Sequence, residues 1–82
     1  MVIIYGDLNC IWCERAKDLC KQYEMTFTYK EIRDPGIYDE LKEQLPEAKT
    51  IPQIFWHGKY IGGFEEFATE IENTRNFGQE KI

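Results

Sequence analysis

The chain has 82 residues, 43% of them hydrophobic, with five Phe, five Tyr and two Trp. That is enough for one domain, expected over residues 1–82, with a lean core in which aromatic side chains fill much of the space. Ten Lys and Arg against fifteen Asp and Glu give a net charge of −5, which excludes the basic surface that nucleic acid requires and disfavours an acidic membrane face.

The opening Met1-Val2-Ile3-Ile4-Tyr5 has no basic start of the kind a secretory leader carries, and its apolar run stops at Gly6. Residues 2–5 therefore read as a short buried strand, and residues 6–9 as a loop. From residue 11 to 23 the pattern is helical, with Trp12, Ala16, Leu19 and Tyr23 recurring on one face. Residues 26–32 alternate, Phe27 and Tyr29 on one side and Thr28 and Lys30 on the other, as in a half-buried strand. Asp34-Pro35 predicts a helix start, with Asp34 as cap and Pro35 in the first turn. Ile37, Leu41 and Leu45 follow at four-residue steps, and Pro46 ends the helix. Ile54-Phe55-Trp56 and Lys59-Tyr60-Ile61 flank His57-Gly58 as the two arms of a β-hairpin. Gly62-Gly63 breaks the second arm, and Phe64, Phe67, Ala68 and Ile71 predict a last amphipathic helix, with a tail from Asn73 that lacks periodicity. The order β-α-β-α-β-β-α implies an α/β fold of thioredoxin-like arrangement, a four-stranded mixed sheet with three helices. No stretch approaches the roughly 20 apolar residues of a membrane span, so a cytoplasmic location is expected.

The chemistry lies in Cys10-Ile11-Trp12-Cys13. A Cys-x-x-Cys pair is half of a structural zinc site or a redox pair. Zinc needs four ligands. The remaining candidates are His57, read as a solvated turn residue, and Cys20, roughly 10 Å further along the helix axis from Cys13; no metal is expected. The redox reading has positive support. The pair falls where a loop hands over to a helix, so Cys10 meets free amides and the positive end of the helix dipole, which favour a thiolate. Cys10 is expected to be the nucleophile and Cys13, one turn on, the resolving thiol. Cys20 is expected to be a buried core residue. Three cysteines at uneven spacing do not make a secreted disulfide framework.

Two further features acquire meaning beside that pair. In Thr50-Ile51-Pro52 the proline precedes a strand, and X–Pro is the bond type that readily becomes cis. Gly62-Gly63 lets a ligand approach the backbone and leaves amides free at a helix start. Taken together, Cys10-Ile11-Trp12-Cys13-Glu14-Arg15-Ala16-Lys17, Thr50-Ile51-Pro52-Gln53-Ile54-Phe55 and Ile61-Gly62-Gly63-Phe64-Glu65-Glu66 resemble the glutaredoxin family over nearly the whole chain.

The resemblance implies a glutathione-dependent thiol–disulfide oxidoreductase. Such an enzyme reduces protein disulfides and glutathione mixed disulfides through Cys10 and Cys13, with glutathione as co-substrate. It implies a monomer whose partners are disulfide-bearing or glutathionylated proteins, ribonucleotide reductase among the candidates. It implies that Pro52 is cis and faces the cysteines, that Thr50 and Ile51 lie along bound glutathione, and that Gln44 and Lys49 hold its glycine carboxylate. Gly63, Phe64 and Glu65 match the segment for the γ-glutamyl end, and Tyr5 and Trp12 match supporting aromatics. Two departures stand out. Ile11-Trp12 replaces the Pro-Tyr common between the cysteines, a position that tunes redox poise. Asp7 stands where a lysine is frequent, and a carboxylate there opposes a thiolate. Two rival readings follow from these departures: a redoxin recharged by thioredoxin reductase, and a carrier of a glutathione-ligated iron–sulfur cluster.

Overall fold

The computed structural model describes residues 1–80, with side chains through Thr74. The elements are β1 (Val2–Gly6), α1 (Ile11–Gln22), β2 (Phe27–Glu31), α2 (Ile37–Gln44), β3 (Gln53–Trp56), β4 (Lys59–Gly62) and α3 (Phe64–Glu80). They form one four-stranded sheet of order β2-β1-β3-β4. β1 pairs in parallel with β2, Gly6 opposite Glu31. The α1 crossover makes that parallel pairing possible. β3 runs antiparallel to β1, with Ile4 opposite Ile54, and the β3–β4 hairpin completes the sheet. His57 and Gly58 turn it with φ of 56° and 76°, the two positive values that a two-residue hairpin of matching twist demands.

The main core lies on one face. Val2, Ile4 and Ile54 of the sheet pack with Ala16 and Cys20 of α1 and with Phe67 and Ile71 of α3, all buried. The inward stripe of α1 is Cys13, Ala16 and Cys20, so the helix is rotated from the expected face. Ala16 holds, Leu19 and Tyr23 are half-buried at its flank, and Trp12 points outward at 46% exposure. Cysteines behave here as small apolar residues, and their burial turns the bulky Trp12 toward the solvent side. α2 is tied through Tyr5, which alternates away from Ile4 and whose hydroxyl contacts Glu40 and Gln44.

The start of α2 differs from the expectation. Asp34-Pro35 does not cap the helix. The Ile37 amide bonds to the Asp34 carbonyl at 3.1 Å, and Gly36 is the cap residue, with φ of 84° and ψ of −17°. Pro-Gly at the centre of a tight turn, with glycine in the positive-φ position, is stronger local chemistry than Asp as a cap. At the other end, α3 continues past Asn73 to Glu80 where an unstructured tail was expected; residues 81–82 lie outside the described part.

Candidate active site

β1 delivers the chain to the site and ends at Gly6. A tight loop follows: the Asp7 carboxylate accepts from the Asn9 amide at 3.2 Å, and the Asp7 carbonyl accepts from the Cys10 amide at 3.3 Å. Cys10 is then the N-cap of α1, with extended backbone, and its Sγ accepts from the Cys13 amide at 3.1 Å. A sulfur thus does what a Ser or Asp oxygen usually does at a helix start. The amide and the helix dipole both favour negative charge on it. From the other side the Cys10 thiol faces the Ile51 carbonyl at 3.9 Å. The Ile51–Pro52 peptide is cis, the isomer implied by the resemblance, and Pro52 is buried.

Cys13 is in a different environment one turn on. It is fully buried, and burial, with the hydrogen bond to Cys10 next, pushes its thiol up to about 12. It keeps its proton at neutral pH while the half-exposed Cys10 takes the helix-start amide. Cys20 is also buried, pushed to about 11 by burial alone, and lies in the core as expected. All three cysteines are free thiols.

Beneath the pair lies a floor that the sequence reading did not find. The Cβ that Gly6 lacks would stand 2.7 Å from Cys13 Sγ and closer still to Tyr29 Oη. Any side chain at residue 6 would therefore collide with both. The Tyr29 hydroxyl donates to the Asp7 carbonyl at 3.0 Å, and Lys17 Nζ stands 4.2 Å from the centre of the Tyr29 ring. Asp7 itself is ion-paired with Arg33, Nε to Oδ1 at 3.0 Å. The only sequence signal for the floor was a glycine between strand and Cys-x-x-Cys, which reads equally well as a strand terminator.

Two clefts share the segment before Pro52, whose Ile51 carbonyl the Cys10 thiol faces. One, of about 300 Å³, lies between Trp12, the Thr50-Ile51-Pro52 segment and Gly63, Phe64 and Glu65. The rings of Trp12 and Phe64 meet across it at 5.4 Å. Glu66 closes the α3 start as the far half of a capping box, its carboxylate accepting from the Gly63 amide at 2.9 Å. The other cleft, of about 590 Å³, holds Gln44, Lys49 and Thr50. Thr50 lines both. It is held by Gln53, whose amide donates to the Thr50 carbonyl at 2.7 Å, and Gln53 is fixed in turn by the Tyr60 hydroxyl at 2.6 Å. Nine of the named residues therefore line the two clefts, and Cys10 stands beside them at the Ile51 carbonyl. Cys13 lies just below, and Tyr5 lies deeper still, fully buried and bound to Gln44 at 2.9 Å, so it braces the site rather than lining it. His57 is an exposed turn residue stacked on Trp56.

Disulfide exchange needs one sulfur that attacks and one that waits beside it, and this strand–helix junction supplies both. On a sheet of this order it places the chain among the thiol–disulfide oxidoreductases of thioredoxin-like fold. The family model described as Glutaredoxin matches residues 2–61, and the chain belongs to the glutaredoxin family. Glutaredoxin 1 of Escherichia coli K12 is 34% identical over 77 residues, which cover 85% of this chain and 91% of that protein. The solved structure of reduced E. coli glutaredoxin superposes with a TM-score of 0.77 at 30% identity, covering 92% of this chain and 96% of that one. A buckwheat glutaredoxin solved with glutathione shares the fold, with a TM-score of 0.75 at 22% identity over 89% of this chain and 69% of that one.

Proposed function

We propose that glutathione supplies the electrons and that Cys10 carries the exchange. Cys10 Sγ attacks the sulfur of a glutathionylated substrate, the substrate thiol leaves, and a second glutathione displaces the first from Cys10 as glutathione disulfide. With a protein disulfide, Cys10 forms the mixed disulfide and releases one substrate thiol. Cys13 Sγ then attacks Cys10 Sγ, the second substrate thiol leaves, and two glutathiones reduce the Cys10–Cys13 bond.

The observation that carries this reading is the meeting of the two clefts at Thr50, one residue before the Ile51 carbonyl that the Cys10 thiol faces. Glutathione is an extended tripeptide with its thiol in the middle and charges at both ends. The Ile51 backbone suits its cysteinyl unit. Lys49, beside Gln44, suits the glycine carboxylate. Beside Gly63, whose own amide is held by Glu66, the next amides of the α3 start at Phe64 and Glu65 suit the γ-glutamyl carboxylate, and the Glu65 carboxylate suits the ammonium. The buckwheat protein of this fold, solved with glutathione, supports the same choice of ligand. A cytoplasmic setting is in keeping with three cysteines whose uneven spacing makes no disulfide framework.

Turnover of a glutathione mixed disulfide, coupled to glutathione reductase and NADPH, tests the reading. Native protein is expected to be active, Cys10→Ser inactive, and Lys49→Ala raised in KM with little change in kcat. Reduction of insulin only when thioredoxin reductase is supplied would replace glutathione with that enzyme as the reductant.

A further inference from the structure

Cys13 poses a chemical difficulty that the reading above leaves open. The thiol that must attack the mixed disulfide is fully buried and pushed up to about 12. At neutral pH an unassisted thiol of that kind would resolve slowly, since the thiolate is the attacking form. Something must favour charge on that sulfur at the moment of attack.

Tyr29 is placed to do so. It lies on β2, whose parallel pairing with β1 brings it beside the end of β1. Its Oη and Cys13 Sγ both stand directly over Gly6 and fill the space a Cβ would take. The notch is tight enough that the hydroxyl and the thiol are neighbours, so charge on either the sulfur or the phenol oxygen is felt by the other. Burial and the nearby Cys13 and Glu31 charges raise the Tyr29 hydroxyl above its ordinary value, so it remains a proton donor throughout. In the resting state it donates to the Asp7 carbonyl at 3.0 Å. A phenolic O–H rotates about its C–O bond, so the same proton can turn from that carbonyl to a charged sulfur. The Asp7 backbone also favours charge at Cys13.

We propose that Tyr29 is a positioning residue for the resolving step, its hydroxyl donating to Cys13 Sγ as that sulfur gains charge, in a notch kept open by Gly6. The step balances without another reactant. The Cys13 S–H and the Cys10–S–S–R bond become the Cys10–S–S–Cys13 bond and R–SH, the thiol proton passing by way of solvent to the departing sulfur. Tyr29 keeps its own proton. The inference rests on the assignment of Cys10 as attacking thiol and Cys13 as resolving thiol.

The test is a stopped-flow reaction with 5,5′-dithiobis(2-nitrobenzoate). Cys10 releases one thionitrobenzoate on attack, and Cys13 releases the second on resolution, so the two steps appear as two phases. Tyr29→Phe keeps the ring and removes only the hydroxyl. It is expected to slow the second phase about tenfold, the scale of a hydrogen bond to a charged group, and to leave the first unchanged. The pH midpoint of the second phase should also move upward, which loosened packing alone would not cause. A second phase of native rate and midpoint, or equal slowing of both phases, would overturn the proposal. Cys10→Ser and Cys13→Ser check the assignment beneath it. Cys10→Ser should lose the fast phase and Cys13→Ser only the second; any other pattern makes the failure one of assignment and not of Tyr29. Circular dichroism confirms that the variants compared are folded.

Discussion

The rim of the site and its floor obey different rules. The rim, with Leu8, Ile11 and Trp12, exposes apolar side chains to solvent around a half-buried Cys10. Little there depends on an exact fit, and an open apolar surface beside a reactive sulfur suits partners of varied shape. The floor, with Gly6, Cys13 and Tyr29, has no room for one added carbon. The contrast teaches where the two halves of the reaction reside. The rim governs what reaches Cys10, and the floor governs how Cys13 answers.

Gly6→Ala breaks the comparison most sharply. The new Cβ would meet Cys13 Cβ at 3.0 Å and Sγ at 2.7 Å. Neither can retreat easily, since both belong to the first turn of a packed helix. Overpacking of this kind costs about 1–3 kcal/mol. In a chain of this size each kcal/mol lowers Tm by roughly 4–8 °C. Leu8→Ser on the rim should stay within about 0.5 kcal/mol. Thermal melts of the two variants beside native protein check the pair, and equal losses would erase the distinction between rim and floor.

Alkali should strike the buried thiols next. Cys13 and Cys20 are held at about 12 and about 11 against an ordinary 9.0. Above pH 9 the unfolded chain loses these protons while the folded chain keeps them, so the unfolded state gains ground as pH rises. The stabilisation from their burial is whole below pH 9 and is lost between there and about pH 11–12. Urea midpoints at about pH 7, 9 and 10.5 should fall along that series, and less steeply in Cys20→Ala, which has one such group fewer. Parallel slopes for the two proteins would mean that Cys20 ionises alike folded and unfolded.

The same contrast explains what could be read from the residues alone. The hairpin was legible because His57-Gly58 states its turn locally, and the Cys10 cap was legible because a loop and a helix start adjoin in sequence. The start of α2 was misread because Asp34 and Pro35 each suit a helix N-terminus, and only the following Gly36, in the positive-φ place of a turn, decides between them. Trp12 was placed inward because its spacing to Ala16, Leu19 and Tyr23 makes an apolar stripe, whereas the stripe that packs is Cys13, Ala16 and Cys20. The floor was not legible at all. Gly6 and Tyr29 are brought together by the register of β1 on β2, and no local pattern states a register. The clefts emerged only as segments matched to a family, and their union at Thr50 depends on where α2 and α3 stand about the sheet.

The smallest effect concerns Asp7, the one acidic group of the loop that carries Cys10. The structure answers its charge with Arg33, 3.0 Å away, though that side chain is 57% exposed. An exposed pair of this kind is worth about 0.2–1 kcal/mol, so Arg33→Ala should barely move Tm. It should nonetheless leave the Asp7 carboxylate unanswered near Cys10, where a negative charge opposes a thiolate. Alkylation of Cys10 by iodoacetamide near neutral pH is expected to slow about two- to threefold in Arg33→Ala and to quicken by a similar factor in Asp7→Asn, both differences shrinking in about 0.5 M salt. Asparagine keeps the side-chain oxygen that accepts from the Asn9 amide, so the loop is preserved while the charge is removed. If neither variant changes the rate, the acidic group that replaces the family's frequent lysine does not act on Cys10, and the reactivity of that sulfur is set by the helix start alone.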